Sequence, residues 1–237
     1  SRAQLRKALA KASSMGFNVV GSMEFEFSVV QETPESLQEK NFKNLTPLTP
    51  GNFGYSLQRS GQTHMLYDDW LTQLDESGID VECIHTEIGP GVLEVALTYD
   101  QLDKAADNAG LFKLFSKIIL NQNFATPTFM AKYKSDQQGH SGHIHMSLLD
   151  KNNNPVFYDQ SRPNEMSETM QQFIAGQQAL MPELLAMSAP NVNSFARLVP
   201  GYWAPTSATW GIDNRTTALR AIVGSANSQR VEYRITG

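Results

Sequence analysis

Cysteine is almost absent from this chain. Cys83 stands alone among 237 residues, which excludes an internal disulfide framework and fits a reducing compartment or indifference to redox state. No uninterrupted apolar run approaches the roughly 18 residues needed to span a bilayer. The opening segment Ser1 to Ala12 is a cationic amphipathic pattern, unlike the apolar stretch of about 7 to 15 residues in a secretory leader. The expected location is therefore cytoplasmic, away from membrane. Basic residues are outnumbered, 19 Lys and Arg against 24 Asp and Glu for a net charge of −5. That balance argues against a nucleic-acid protein held by broad phosphate neutralisation, while leaving room for a local basic pocket. Internal repeats, low-complexity tracts, Walker loops and kinase glycine loops are also missing. What remains is apolar material, 41% of the chain, enough for one large core or two modest ones.

The periodicity alternates between helix and strand. Leu5, Ala8, Leu9, Ala12 and Met15 recur at helical steps and Gly16 follows as a stop. Phe17 to Val30 then changes to a period of two, with Met23, Phe25 and Phe27 on one side and Glu24 and Glu26 on the other. Residues 31 to 62 lack sustained periodicity and read as a long surface insertion. Asp69 to Ser77 reads as helix, and Val81 to His85 and Leu93 to Leu97 read as strands around Gly89-Pro90-Gly91. A long helix over Leu102 to Ile119 precedes a strand over His143 to Leu148. Ser167 to Met187 is a second long helix, expected to bury Met170, Phe173, Ile174, Leu180 and Leu184, with Pro182 as a kink. Thr217 to Val223 and Arg230 to Ile235 close the chain as strands.

The polar residues on these strands carry the chemistry. Glu24 and Glu26 leave one strand face about 7 Å apart. Alternating glutamates are commonly just a solvated face, so their neighbours decide the weight. Glu87 and Glu94 lie on either side of the Gly-Pro-Gly turn and can present carboxylates to one point. His143 and His145 share a strand face, suiting metal ligation by one and anion contact by the other. Glu232 lies between Arg230 and Arg234 on the last strand, an arrangement costly to bury without partners. Five glutamates with one or two histidines favour a hard divalent cation, magnesium or manganese, over structural zinc with its cysteine sets. Arg197, Arg215, Arg220, Arg230 and Arg234 offer a matching anion clamp. Cations and guanidinium groups acting on shifting negative charge describe phosphoryl transfer.

Six ordered motifs carry a resemblance. Met23-Glu24-Phe25-Glu26-Phe27, Glu87-Ile88-Gly89-Pro90-Gly91-Val92-Leu93-Glu94, Ser141-Gly142-His143-Ile144-His145-Met146-Ser147, Arg197-Leu198-Val199-Pro200-Gly201-Tyr202, Asn214-Arg215 through Arg220, and Arg230-Val231-Glu232-Tyr233-Arg234 resemble the successive motifs of the glutamine synthetase catalytic domain. The resemblance covers nearly the whole chain. It implies an α+β fold in which a curved antiparallel sheet, a half-barrel, is backed by helices. It also implies an ATP-dependent ligase: the γ-carboxylate of glutamate is phosphorylated, and ammonia or an organic amine displaces phosphate to give a γ-glutamyl amide.

Carried over residue by residue, the resemblance implies that Glu26, Glu87 and Glu94 hold one metal ion and that Glu24, His143 and Glu232 hold a second facing the ATP phosphates. Arg197 would grip the glutamate α-carboxylate, Gly139 its amino group, Arg215 and Arg220 the phosphates, and Arg234 the γ-carboxylate as it becomes acyl phosphate. Tyr99, Ser147, His145 and Arg230 would contact the nucleotide. Two departures stand out. Where ammonia-using members read Pro-Gly-Tyr-Glu-Ala-Pro, this chain has Trp203, which cannot bind a cation through a carboxylate or accept its proton but can stack on one or wall off water. Val92 replaces the usual glutamine of the Gly-Pro-Gly turn. Together with Trp210 to Arg215 these features resemble the divergent branch that joins glutamate to organic amines.

The resemblance further implies that residues 1–237 form part of a catalytic domain, flanked in the family by an N-terminal β-grasp domain and C-terminal helices, in proteins that assemble as rings. An isolated fragment would then turn over poorly. Two other readings compete: a catalytically inactive structural or sensing relative, against which the intact ligand set argues, and a guanidino kinase, which would not need all these metal ligands.

Overall fold

The computed structural model describes residues 2–237. They form nine strands and seven α-helices in an α+β arrangement. The chain divides into two compact units. One comprises the chain through Met23, Tyr99–Ala106 and Gly142–Gly237; the other comprises Glu24–Thr98 and Asp107–Ser141. Helix α1 (Arg2–Ser14) ends before Gly16, whose positive φ of 94° suits glycine. Strand β1 (Asn18–Val30) follows as the alternation demands, and contributes residues to both units.

In the second unit, β2 (Val81–Thr86), β3 (Val92–Leu97), β5 (Thr126–Thr128) and the later half of β1 build an antiparallel sheet in the order β2-β3-β1, with β5 also pairing β1. Phe27, Leu93 and Val95 bury one face of this sheet completely. Tyr67, Trp70 and Leu74 of α4 (His64–Glu76) and Phe112, Ile119 and Leu120 of α5 (Leu102–Gln122) cover that face. The Phe27 ring meets Trp70 edge-on at 6.0 Å, a favoured aromatic geometry. Even-numbered residues Glu24, Glu26 and Ser28 are left on the opposite face. The β2–β3 connection depends on Gly91, at φ 72°, where a Cβ would lie 2.5 Å from the Val29 carbonyl oxygen.

The segment read as an insertion is more ordered than its composition suggests. It contains α2 (Pro34–Glu39) and α3 (Leu57–Gln62), and Leu48 enters the core. A six-residue helix is under two turns, too short to display a periodicity. The signal lies in the capping box of α2, where Thr33 and Ser36 exchange side-chain bonds with each other's backbone N–H.

In the first unit the order is β1-β6-β9-β8-β7, with the short β4 (Asp100–Gln101) pairing the start of β1. Strands β6 (Gly142–Leu149), β9 (Arg230–Tyr233) and β8 (Leu219–Ile222) pair antiparallel, whereas β7 (Trp210–Ile212) joins β8 in parallel. Gly21 lets β1 approach β6: a Cβ there would meet the His145 carbonyl oxygen at 2.6 Å. Ala221, Val231 and Leu148 bury the sheet face against α6 (Glu168–Ser188). Ser167 caps α6 by accepting the Met170 N–H at 3.1 Å, and the helix runs on through Pro182. Its buried residues are Met170, Ile174 and Met181. Leu180 and Leu184, expected inside, are exposed: at 100° per residue Leu180 falls about 80° from Met170, on the flank of the stripe. Helix α7 (Val192–Arg197) completes the set.

Candidate active site

Each unit presents one polar strand face, and the two faces differ in sign. In the second unit the face is acidic. Glu26 lies directly opposite Glu94 in the β1–β3 register, and Glu24 opposite Ala96. His85 lies opposite Glu94 on the other side, and its Nε2 sits 2.8 Å from Glu94 Oε1. Burial, reinforced by the charges of Glu24 and Glu26, lifts the Glu94 carboxyl above its ordinary value despite the His85 bond that pulls it down. The same bond to Glu94 is the main reason the His85 imidazole titrates higher than usual. Glu87, at the end of the Gly-Pro-Gly turn, has its Oε2 buried without a hydrogen-bond partner. That atom is 4.0 Å from His85 Nδ1, beyond hydrogen-bond reach. The second carboxylate oxygen of Glu26 accepts the Ser141 N–H at 2.8 Å. Gly139 is half-buried nearby in sequence.

In the first unit the face is cationic around one buried acid. Glu232 on β9, 1% exposed, receives Arg234 Nη1 on Oε1 and Arg220 Nη1 on Oε2 at 3.2 Å. His143 Nδ1 lies 3.1 Å from the same Oε1. Arg220 also reaches the exposed Asp213 at 3.3 Å. Two guanidinium groups thus share one buried carboxylate, and the second acid, Asp213, is exposed. The Nε–H groups of both Arg220 and Arg234 are buried without partners, and buried donors of this kind normally find an acceptor. Such a cluster is built to take an anion.

The remaining expected residues hold other positions. His145 lies opposite Glu232 in register, and its Nδ1 accepts Arg230 Nε–H at 3.2 Å. Ser147 donates to the Gln229 carbonyl at 3.2 Å. Arg197 is 4% exposed, with its Nη2 donating to the carbonyls of Arg234, Ile235 and Thr236 at 3.2, 2.9 and 3.0 Å. It clasps the chain just beyond β9. Thr236 in turn bonds both backbone groups of Gly142, at the start of the strand bearing His143. Tyr99, Trp203 and Arg215 are exposed. Trp203 sits at φ 59°, a backbone region that bulky residues rarely adopt.

Sequence reasoning missed His85 and His140. His85 could have been found by strand arithmetic, being two residues before Glu87 and on its face; no local signal marks His140. His140 meets Ser28, which is two residues beyond Glu26.

Comparison with known proteins agrees with the motifs. A family model described as glutamine synthetase, catalytic domain, matches residues 1–237. A type-1 glutamine synthetase 2 of Dictyostelium discoideum is 44% identical over 237 residues, covering 100% of this chain and 45% of that protein. A glutamate–isopropylamine ligase of a Pseudomonas species is 36% identical over 233 residues, covering 98% of this chain and 51% of the relative. Among solved structures, one described as a novel glutamine synthase homolog superposes with a TM-score of 0.83 at 24% identity, over 99% of this chain and 54% of its own, a likeness of fold. The chain spans about half the length of the curated relatives it matches.

Proposed function

This chain belongs to the glutamine synthetase catalytic-domain family, and on that premise we propose that its protein is an ATP-dependent ligase forming γ-glutamyl amides from glutamate and an organic amine or ammonia. The observation that carries the reading is the acidic face: Glu94 is lifted in pKa by burial and, to a lesser extent, by the charges of Glu24 and Glu26, and Glu87 keeps a buried oxygen without a hydrogen-bond partner. Carboxylates crowded in this way suit a hard divalent cation. Glu26, Glu87 and Glu94 would hold one magnesium or manganese ion, and Glu24, His143 and Glu232 are assigned to metal as the resemblance implies. Such ions supply Lewis-acid polarisation of phosphoryl oxygens and offset of their charge.

The chain's own groups do the rest. Arg220 and Arg234, each with a buried free Nε–H, stabilise phosphoryl charge as the glutamate γ-carboxylate oxygen attacks the terminal phosphorus and ADP departs. Arg215 joins them from an exposed turn. The amine nitrogen then attacks the acyl carbon, phosphate leaves, and the amine loses its extra proton. Arg197 and Gly139 serve the glutamate α-carboxylate and amino group, and Tyr99, Ser147, His145 and Arg230 the nucleotide. Trp203 contributes an aromatic wall where a carboxylate would favour ammonium, so an organic amine is the preferred acceptor. The isopropylamine-ligase relative supports this choice. Residues 1–237 then act as part of a larger catalytic domain, in a cytoplasmic enzyme of ring-like assembly. Among the described residues, no helix is long and apolar enough to cross a membrane.

The test is incubation of the full-length protein with glutamate, ATP and Mg²⁺ or Mn²⁺ against a panel of alkylamines, polyamines and ammonia. Mass spectrometry should find ADP and γ-glutamyl amide in equal amounts, with an organic amine ahead of ammonia. No metal-dependent amide with any acceptor would overturn the reading; ammonia as by far the best acceptor would overturn the amine preference.

A further inference from the structure

The acidic face is supported by a contact that the six motifs do not include. Ser28 follows Glu26 by two residues on β1 and so shares its side of the strand. It is 1% exposed, and its hydroxyl lies 2.8 Å from Nε2 of His140, itself 5% exposed. His140 is anchored in turn, its N–H donating to the Ala131 carbonyl at 2.8 Å. The next residue, Ser141, bonds Glu26 twice: its N–H donates to Glu26 Oε2 at 2.8 Å, and its carbonyl accepts the Glu26 N–H at 2.9 Å. All of these residues lie in the second unit.

We propose that His140, through its bond to Ser28, is a positioning residue that fixes the Glu26 carboxylate for a divalent cation. A glutamate has three side-chain torsions, and ordering them on metal capture costs entropy. A backbone N–H holding Oε2 removes much of that freedom in advance, leaving Oε1 to face the cation. The N–H can do so only if the Ser141 backbone is itself held. The His140–Ser28 bond pins that backbone to the same strand that carries Glu26, so ligand and support share one rigid element. Groups that orient metal ligands in this way typically contribute 10- to 100-fold in affinity.

This inference rests on Glu26 being a metal ligand, and the experiment separates the two claims. Mn²⁺ binding to the full-length protein is followed by the electron paramagnetic resonance of the free ion, for wild type, Glu26→Gln, Ser28→Ala, Ser28→Thr, His140→Leu and His140→Gln. Ser28→Ala and His140→Leu should each weaken Mn²⁺ by about 10- to 100-fold. Ser28→Thr and His140→Gln, which keep a hydrogen-bonding group, should recover most of the loss. The double variant Ser28→Ala with His140→Leu should be no weaker than either single, since one bond is being broken twice. Should His140→Leu fail to fold, the Ser28 pair carries the test alone. Wild-type affinity in Ser28→Ala, or a conservative variant as weak as its disruptive partner, overturns the positioning role. If Glu26→Gln binds Mn²⁺ as wild type does, the metal reading of Glu26 falls and takes the positioning role with it.

Discussion

Glu26 on β1 and Glu94 on β3 stand directly opposite one another across an antiparallel pair. Like charges in that relationship repel, by up to about 1 kcal/mol, and here burial, the larger effect, likewise disfavours the ionised Glu94 carboxyl, both lifting it above its ordinary value. Glu26→Gln should therefore stabilise the metal-free protein by roughly 0.5 to 1 kcal/mol while reducing the stabilisation gained from Mn²⁺. Thermal denaturation with and without Mn²⁺ reads both effects. A variant that gains as much from Mn²⁺ as wild type would contradict the assignment.

Removal of Glu232 should act in the opposite sense. Its carboxylate is buried beneath Arg220 and Arg234, so Glu232→Ala strands the Arg234 guanidinium without its counter-charge and leaves Arg220 only the exposed Asp213. Breaking a buried pair by deleting one partner costs about 3 to 5 kcal/mol. Urea denaturation of the variant against wild type measures the loss; a change below about 1 kcal/mol would mean that solvent reaches this cluster.

Acid sensitivity has an identifiable source away from the acidic face. Lys40, then the Ser36 hydroxyl and the Thr46 N–H, hold the Glu32 carboxyl down from 4.5 to about 2. A carboxylate depressed in the folded state contributes its stability above the unfolded value and surrenders it as pH falls toward the folded one. The difference in melting temperature between wild type and Glu32→Gln should be full at neutral pH and close between about pH 4.5 and 2. A gap unchanged at acid pH would show that the charge of Glu32 contributes nothing.

Acceptor choice is predicted to turn on Trp203. Trp203 is exposed, so Trp203→Glu should leave stability within about 0.5 kcal/mol, as exposed substitutions usually do. The same change restores a carboxylate able to hold ammonium and take its proton. The ratio of kcat/KM for ammonia to that for an alkylamine should rise in the variant. An unchanged ratio would remove Trp203 from specificity.

The long periodic elements were legible because each buries a single face. The alternation around Phe25 and Phe27 predicts β1, and the helical steps from Leu102 predict α5, since core and solvent impose their period directly on the sequence. The glutamates of the acidic face were legible for the same reason, at even positions on a strand whose odd positions are core. Several short elements were hidden, β5, β7, α2, α3 and α7, because three residues of strand or a turn or two of helix cannot show a repeat, whereas β2, β3, β8 and β9, also no longer than six residues, were legible from their apolar residues. Side-chain contacts between distant segments were hidden as well. Nothing local to Gln138-Gly139-His140 announces that Ser28 waits 112 residues earlier. Leu180 and Leu184 misled because hydrophobicity alone does not say which of two flanks of a helix is covered.

The alternation of β1 also gives that strand something like a reading frame. With core and ligand faces interleaved one residue at a time, losing a single residue upstream within the strand would present Phe25 and Phe27 to the acidic side and drive Glu24 and Glu26 against Trp70 and Phe112. Substitutions along β1 are graded in their effects. A one-residue insertion or deletion is not, because it exchanges the core for the acidic face in one step, and two residues are the smallest change in length that the strand can absorb with both faces still in phase.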